Sequence, residues 1–517
     1  MSKDTAVSLP RNSNQALGIG QFAIDFMAGT LGSGPSVESL ARVRLLHTDA
    51  VMCGASALAL KTNAPTILRH EAFEYPDPAG ATPLGSAVRV KSEKAIVANA
   101  SAMREWDSNG TNFGYNPALG HTAGEFGHND FYGVAIAACQ ETGKDGATAV
   151  KAMLLIDEIR GRLAEVFSLK TYKIDHVVHG AIASAAVYGA VKGAAPEQIE
   201  SAIGMFVAHY IPWRAIRAGK QLSDSKGASA AISTEAAILC MKRSMAGFIG
   251  PKDIFRNPES MFRQFEKTNG DSPFDLVLSH SGNDFAVMGM HFKMGLYEHQ
   301  SAGALQGLLD LLAAHPQLID AATIDKIVIT AYEPAFGIIG DPAKRDPHTR
   351  QSADHSMVYI VATMLRKAIE AGAGALNGFK TDQMWQLLML SPFDYSLEAI
   401  QNPLTRSLMT KISFEHGGPD YDEKYPDGIP TSVRITSASG ESFDSGLVMY
   451  PAGHARNASA DLHGILKEKF NMLGHLALPR ATIVSDFIEK LESIDQLSGE
   501  ELLEIYNFEI VEYAGYE

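Results

Sequence analysis

The sequence of 517 residues has few cysteines, a deficit of positive charge and no long apolar run, and each shortage closes off a class of protein. Cys53, Cys139 and Cys240 are its only cysteines. Their odd number, wide spacing and apolar neighbours exclude a disulfide framework and suit buried thiols in a reducing compartment. No Cys-x-x-Cys occurs, which removes the paired thiolates commonly found at an iron–sulfur centre. A net charge of −15 opposes nucleic acid and anionic membrane as partners, because both need a basic surface. No stretch has the length of uncharged apolar sequence that a bilayer span requires. Residues 1–15 are polar and carry no signal-peptide core, so they read as a frayed tail. There is also no P-loop, no Gly-x-Gly-x-x-Gly after a strand and no Gly-x-Ser-x-Gly elbow. A soluble, cytoplasmic chain is expected, with 46% hydrophobic residues and a length beyond one compact core.

The organisation that is present changes along the chain. Residues 16–285 read as mostly helical. Pro35 and Ser36 precede an apolar stripe at Leu40, Val43, Leu46 and Ala50, and Pro196 stands where a helix begins. Runs rich in Ala, Gly and Ser at 180–190 and 227–237 predict closely packed core helices. After about residue 286 the character becomes α+β. Helices are expected at 301–314 and 354–371, strands at 326–330 and 432–436, and a hairpin around Gly440 whose second strand holds Leu447 and Val448. From Leu462 onward the pattern is helical again. The fold class expected is therefore mainly α: a large all-helical domain, residues 1–285 and 449–517, interrupted by a smaller α+β lid domain at 286–448.

Three constellations could carry chemistry. In the first, Asp107 and Thr111 follow Trp106 and would share a face if that piece were helical, and the loop after them returns at Gly127-His128. The second is Asp175-His176-Val177-Val178-His179, where Asp175 resembles a helix N-cap and the imidazoles sit at the positive helix end. The third groups Arg214, Arg217, Lys220 and Lys226, cations that could hold a small polycarboxylate through charge-assisted bonds. Each has a plain alternative: a solvated loop, a capping turn and an exposed basic face. For a metal, His121, Glu125 and His128 form one conceivable ligand set and His176 with His179 another. Neither has the His-Glu-x-x-His spacing, so no metal and no cofactor are expected.

At these same places the sequence resembles the MmgE/PrpD family. The motifs are Trp106-Asp107-Ser108-Asn109-Gly110-Thr111, Gly127-His128, Ile174-Asp175-His176-Val177, the paired Arg214 and Arg217, and Lys226. Further on come Phe292-Lys293 with His299, Asp354-His355, and Tyr450-Pro451-Ala452-Gly453-His454-Ala455-Arg456. They occur in the family's order over residues 20–510. The resemblance implies a metal-free dehydratase acting on 2-methylcitrate or a closely related tricarboxylate, usually as a homodimer. It implies proton transfer by Asp107, Thr111, His128 and His176, and substrate binding by Arg214, Arg217, Lys226, Lys293 and His299. Relatives that decarboxylate cis-aconitate or epimerise iminodisuccinate share the same demand, and a non-catalytic polycarboxylate-binding protein is the alternative of another class. Two departures flank the presumed pocket: Gly110 stands where the family has an acid, and Asn129-Asp130 follow His128 in place of Pro-Ser.

Overall fold

The computed structural model describes residues 5–217 and 222–516, and Lys220 lies outside them. It is 55% helical with 10% strand, so the mainly-α expectation holds. The N-terminal helices begin where polar side chains supply the missing acceptors. Asn14 caps Gln15–Ala28, Ser36 caps Val37–Ala59 and Asp145 caps Gly146–Val166, each accepting from an N–H in the first turn. The Val177–Lys192 helix stops at Gly193, whose φ of 80° is costly for any residue with a Cβ.

The small-residue runs do pack closely. Val177–Lys192 lies against Gly146–Val166 and Asp224–Met245, and the last of these also covers Ser92–Glu105. A Cβ built on Gly180 would come within 1.9 Å of the Phe131 ring, and one on Gly204 within 1.8 Å of the Pro251 carbonyl oxygen. Larger side chains would hold these helices apart.

Residues 324–444 contribute a four-stranded sheet in the order Ile412–His416, Ile324–Ala331, Thr431–Ser437, Ser442–Asp444. The first pair is parallel (Ile327 opposite Ile412) and the other two are antiparallel (Ile329 opposite Val433, Ile435 opposite Phe443). Helix Ala302–Ala314 covers Thr431–Ser437. The final long helix, Leu462–Ala477, packs on Val37–Ala59, which returns the chain to its first half.

Four local expectations need correction. Among the described residues of the expected frayed tail, Ala6–Leu9 instead forms a strand antiparallel to Leu276–Ser279, a pairing with a segment far along the chain. Residues 106–110 are not helical, because Ser92–Glu105 ends before them and Thr111 opens the strand Thr111–Phe113. The hairpin at Gly440 is completed by Ser442–Asp444, and Val448 makes only an isolated bridge to Thr431. The helix expected from residue 354 starts at Met357, capped by Ser356. No single helix among the described residues is long and apolar enough to cross a membrane.

Candidate active site

Eight separate pieces of chain meet around one cavity of about 130 Å³. Arg104 ends the helix Ser92–Glu105, and Asp107 and Thr111 follow it. His128 ends the strand Phe126–His128, whose register sets it opposite Thr111. His176 precedes Val177–Lys192, while Arg214 and Arg217 bracket a single 3-10 turn. Lys226 lies in the first turn of Asp224–Met245. From the later half come Glu298, Lys344 and His355, with Ile338 and Ile339 as an apolar wall.

Asp107 is the electrostatic centre. Its carboxylate receives Arg104 at 3.3 Å, Lys226 at 3.4 Å, His355 Nε2 at 3.2 Å and, in direct contact, the fully buried Lys293. Burial alone would raise its pKa, but Arg104, Lys293 and Lys226 outweigh burial and hold it well below the usual carboxylate range. Asp354 lies across from it, 3.4 Å from Lys226 and 2.6 Å from His355 Nδ1. Asp107, Asp354 and His355 are close enough to share a metal ion. The Lys226 ammonium already sits 3.4 Å from both carboxylates and fills the role a cation would have there.

The imidazoles are held neutral. Burial drives His128 well below the ordinary histidine value, with Arg104 and Lys293 adding to the effect, and its Nδ1 has no hydrogen-bond partner among the described residues. The His176 ring lies 5.2 Å from that of His128, and its Nε2 is likewise unpartnered. Burial pushes His355 down to about 4. Glu298 moves the other way: burial, then the charge on Asp107, raise it to about 7. One of its carboxylate oxygens accepts from the Gln300 N–H at 2.9 Å.

The cations differ in what they are free to do. Arg217 is committed to Asp175, whose Oδ1 also accepts from the Val177 N–H at 3.4 Å where the Val177–Lys192 helix begins. Arg214 and Lys344 line the cavity with no ion pair or side-chain hydrogen bond among the described residues. Burial lowers the pKa of both, the mark of a charge held away from water without full compensation. Lys293 and His299 are not in the lining. Lys293 braces Asp107 from beneath, and His299 stands behind Phe113, stacked on His291 with centroids 4.9 Å apart. Thr111 donates its hydroxyl to the Gly127 carbonyl at 2.9 Å, tying together the two strands that carry it and His128.

Sequence reasoning missed Arg104, Glu298 and Lys344. His355 was visible in a motif but was given no role. Gly110 has no space for the acid that the resemblance expects there. A Cβ at that position would meet Leu46 Cδ2 at 2.6 Å, and Glu298 is the other carboxyl lining the cavity beside Asp107. Asp130, the other departure, faces Arg104 at 3.7 Å and accepts from Asn109 at 2.6 Å. The conceivable metal sets disperse: His121 pairs with Glu165, Glu125 accepts from the Lys170 N–H, and His179 bonds to the Phe167 carbonyl.

A second cavity of about 150 Å³ lies across Phe113, lined by His291, His454 and Arg456. Its charged groups neutralise one another, Arg456 with Asp427 and Glu165 with Arg162, so it lacks the uncompensated cations of the first.

Models of the MmgE/PrpD N-terminal and C-terminal domains match residues 24–273 and 297–373. The chain belongs to the MmgE/PrpD family. The 2-methylcitrate dehydratase of Escherichia coli K12 is 22% identical over 400 residues, covering 74% of this chain and 78% of that protein. The 2-methylcitrate dehydratase of Salmonella typhi is also 22% identical, over 479 residues, covering 84% and 89%. The matched domains contain every residue lining the first cavity.

Proposed function

We propose that this MmgE/PrpD protein is a hydro-lyase that removes water from 2-methylcitrate or a closely related tricarboxylate, using its own side chains for acid and base catalysis. The observation that carries this reading is the pair of half-buried cations without an ion pair among the described residues, Arg214 and Lys344, on one cavity with His128 and His176, each of which has one ring nitrogen without a hydrogen-bond partner. Buried charges without partners are costly, and a carboxylate substrate supplies the missing partners. The similarity to 2-methylcitrate dehydratases supports the same reaction class.

Dehydration needs a base for the proton alpha to a carboxylate and an acid for the departing hydroxyl. In our reading His128 is the base: it is neutral, unpartnered and within the field of Asp107, which favours the imidazolium as it forms. Asp107 itself is held ionised by the cations Arg104, Lys293 and Lys226 and acts as the electrostatic anchor rather than as the proton carrier. Glu298, raised to about 7, retains a proton near neutral pH and is the donor to the leaving hydroxyl. In the same reading His176, whose ring lies 5.2 Å from that of His128, exchanges protons with it in the return to the resting state, and Thr111 keeps the His128 strand in register. Arg214 and Lys344, supported by Arg217 and Lys226, bind the carboxylates and the charge that builds up as the proton leaves. Ile338 and Ile339 offer an apolar wall for a methyl branch.

Proton NMR in D₂O with 2-methylcitrate, citrate, cis-aconitate and iminodisuccinate tests this reading. For 2-methylcitrate the expected result is loss of the methine proton with collapse of its methyl doublet to a vinylic methyl singlet, and for citrate a new alkene proton. Loss of carbon dioxide, or solvent exchange at an alpha carbon without elimination, would assign the site to decarboxylation or epimerisation instead.

A further inference from the structure

We infer that Lys469, on the returning C-terminal helix, is a positioning residue that staples together the two backbone segments on which the Asp107–Lys293 pair is built. The inference rests on the proposed reaction only for its activity readout.

The two segments run side by side. Thr111 and His291 exchange backbone hydrogen bonds at 3.0 and 2.7 Å, and the Tyr297 N–H donates to the Asp107 carbonyl at 3.0 Å. The Ser108 hydroxyl donates to the Gly295 carbonyl at 2.9 Å. Between these bonds the ladder is incomplete, and two carbonyls, those of Ser108 and Lys293, would lack donors. Lys469 Nζ donates to both, at 2.7 and 2.9 Å. Its third partner is Asp49 on Val37–Ala59, 2.6 Å away, and both side chains are fully buried. One ammonium thus spends two of its three donors on the residue after Asp107 and on Lys293 itself.

This arrangement differs from an ordinary buried ion pair, in which each charge exists to neutralise the other. Here the carboxylate compensates an ammonium whose remaining bonds set the separation of the two backbones. A buried pair can often be exchanged for apolar residues with little loss of stability. A carbonyl staple cannot, because no apolar side chain donates to the Ser108 and Lys293 oxygens. Misplacement by about 1 Å far from the reacting atoms can cost on the order of 100-fold in rate.

The test compares Asp49→Asn, Lys469→Met and the double variant Asp49→Leu/Lys469→Met, by thermal melting, steady-state kinetics with the tricarboxylate and amide hydrogen exchange. Asp49→Asn keeps both carbonyl bonds and is expected to melt lower while holding kcat within about twofold. The double variant is expected to melt below the parent, because two buried carbonyls lose their donor, and to lose at least ~10-fold in kcat with KM changed less than ~3-fold. Amides of residues 107–111 and 293–297 should exchange faster in it. If the double variant keeps parental kcat and parental exchange, Lys469 is only half of a structural ion pair and the inference fails. If Lys469→Met does not fold, the double variant alone decides. If the parent turns over none of the acids, the proposed reaction fails, and the exchange of these amides still tests the staple.

Discussion

His128 and Glu298 lie on the same cavity with their pKa values pushed in opposite directions, one kept neutral by burial and the other kept protonated by it. That separation lets a single pocket hold a base and an acid at one pH. His128→Ala should lower kcat by about 10²–10⁴-fold with little change in melting temperature, as read by steady-state kinetics on the folded protein. Glu298→Gln should remove the alkaline limb of the kcat profile near pH 7, since the amide cannot lose the proton whose departure switches the parent off. A limb that persists in Glu298→Gln would give the acid role to another group. Of these residues, His128, His176, Arg214 and Lys226 were legible because each lies within or beside a motif of unusual composition. Glu298 and Lys344 were not, because nothing in their neighbourhoods distinguishes a buried lone charge from a solvated one. Lys293 and His299 were legible as motif residues, but the sequence could not show that one faces away beneath Asp107 and the other behind Phe113.

At the scale of elements, what could be read were the periodic helices and the β-branched strands, whose signals are local. Val37–Ala59 and Ile324–Ala331 fall where the apolar stripe and the β-branched run announced them. The strand Ala6–Leu9 could not be read, because its partner lies some 270 residues along the chain and only that pairing makes it a strand. The small-residue runs were legible as close packing, and this leads to a prediction about the site. Gly180→Ala places a methyl 1.9 Å from the ring of Phe131, in the helix that His176 precedes. It should cost about 1–3 kcal/mol in a urea titration, through overpacking, although alanine is the better helix former. An unchanged midpoint would mean that Phe131 swings clear without moving the helix.

Across the whole molecule, histidine burial links stability to pH. Burial holds His47 at about 3 and His179, His355 and His454 at about 4, all below the ordinary value of 6.5. Each binds its proton more readily in the unfolded chain than in the folded one. Stability is therefore full above pH 6.5 and is lost as pH falls through the window from about 6.5 to 4, at up to ~1.4 kcal/mol per pH unit for each such group. Melting curves from pH 7.5 to 4.5 should show this decline, and His355→Gln should make it shallower; a melting temperature indifferent to pH would show that these histidines charge without cost. The central claim is that this cavity eliminates water from a tricarboxylate with its own acids, bases and cations. Its most direct test is the ultraviolet absorbance of purified protein incubated with 2-methylcitrate in excess chelator, beside the Arg214→Ala/Lys344→Ala variant. The account predicts rising alkene absorbance for the parent and a trace lowered at least ~10-fold for the variant at the same substrate concentration. A flat trace for the folded parent, with citrate equally unchanged, would contradict it.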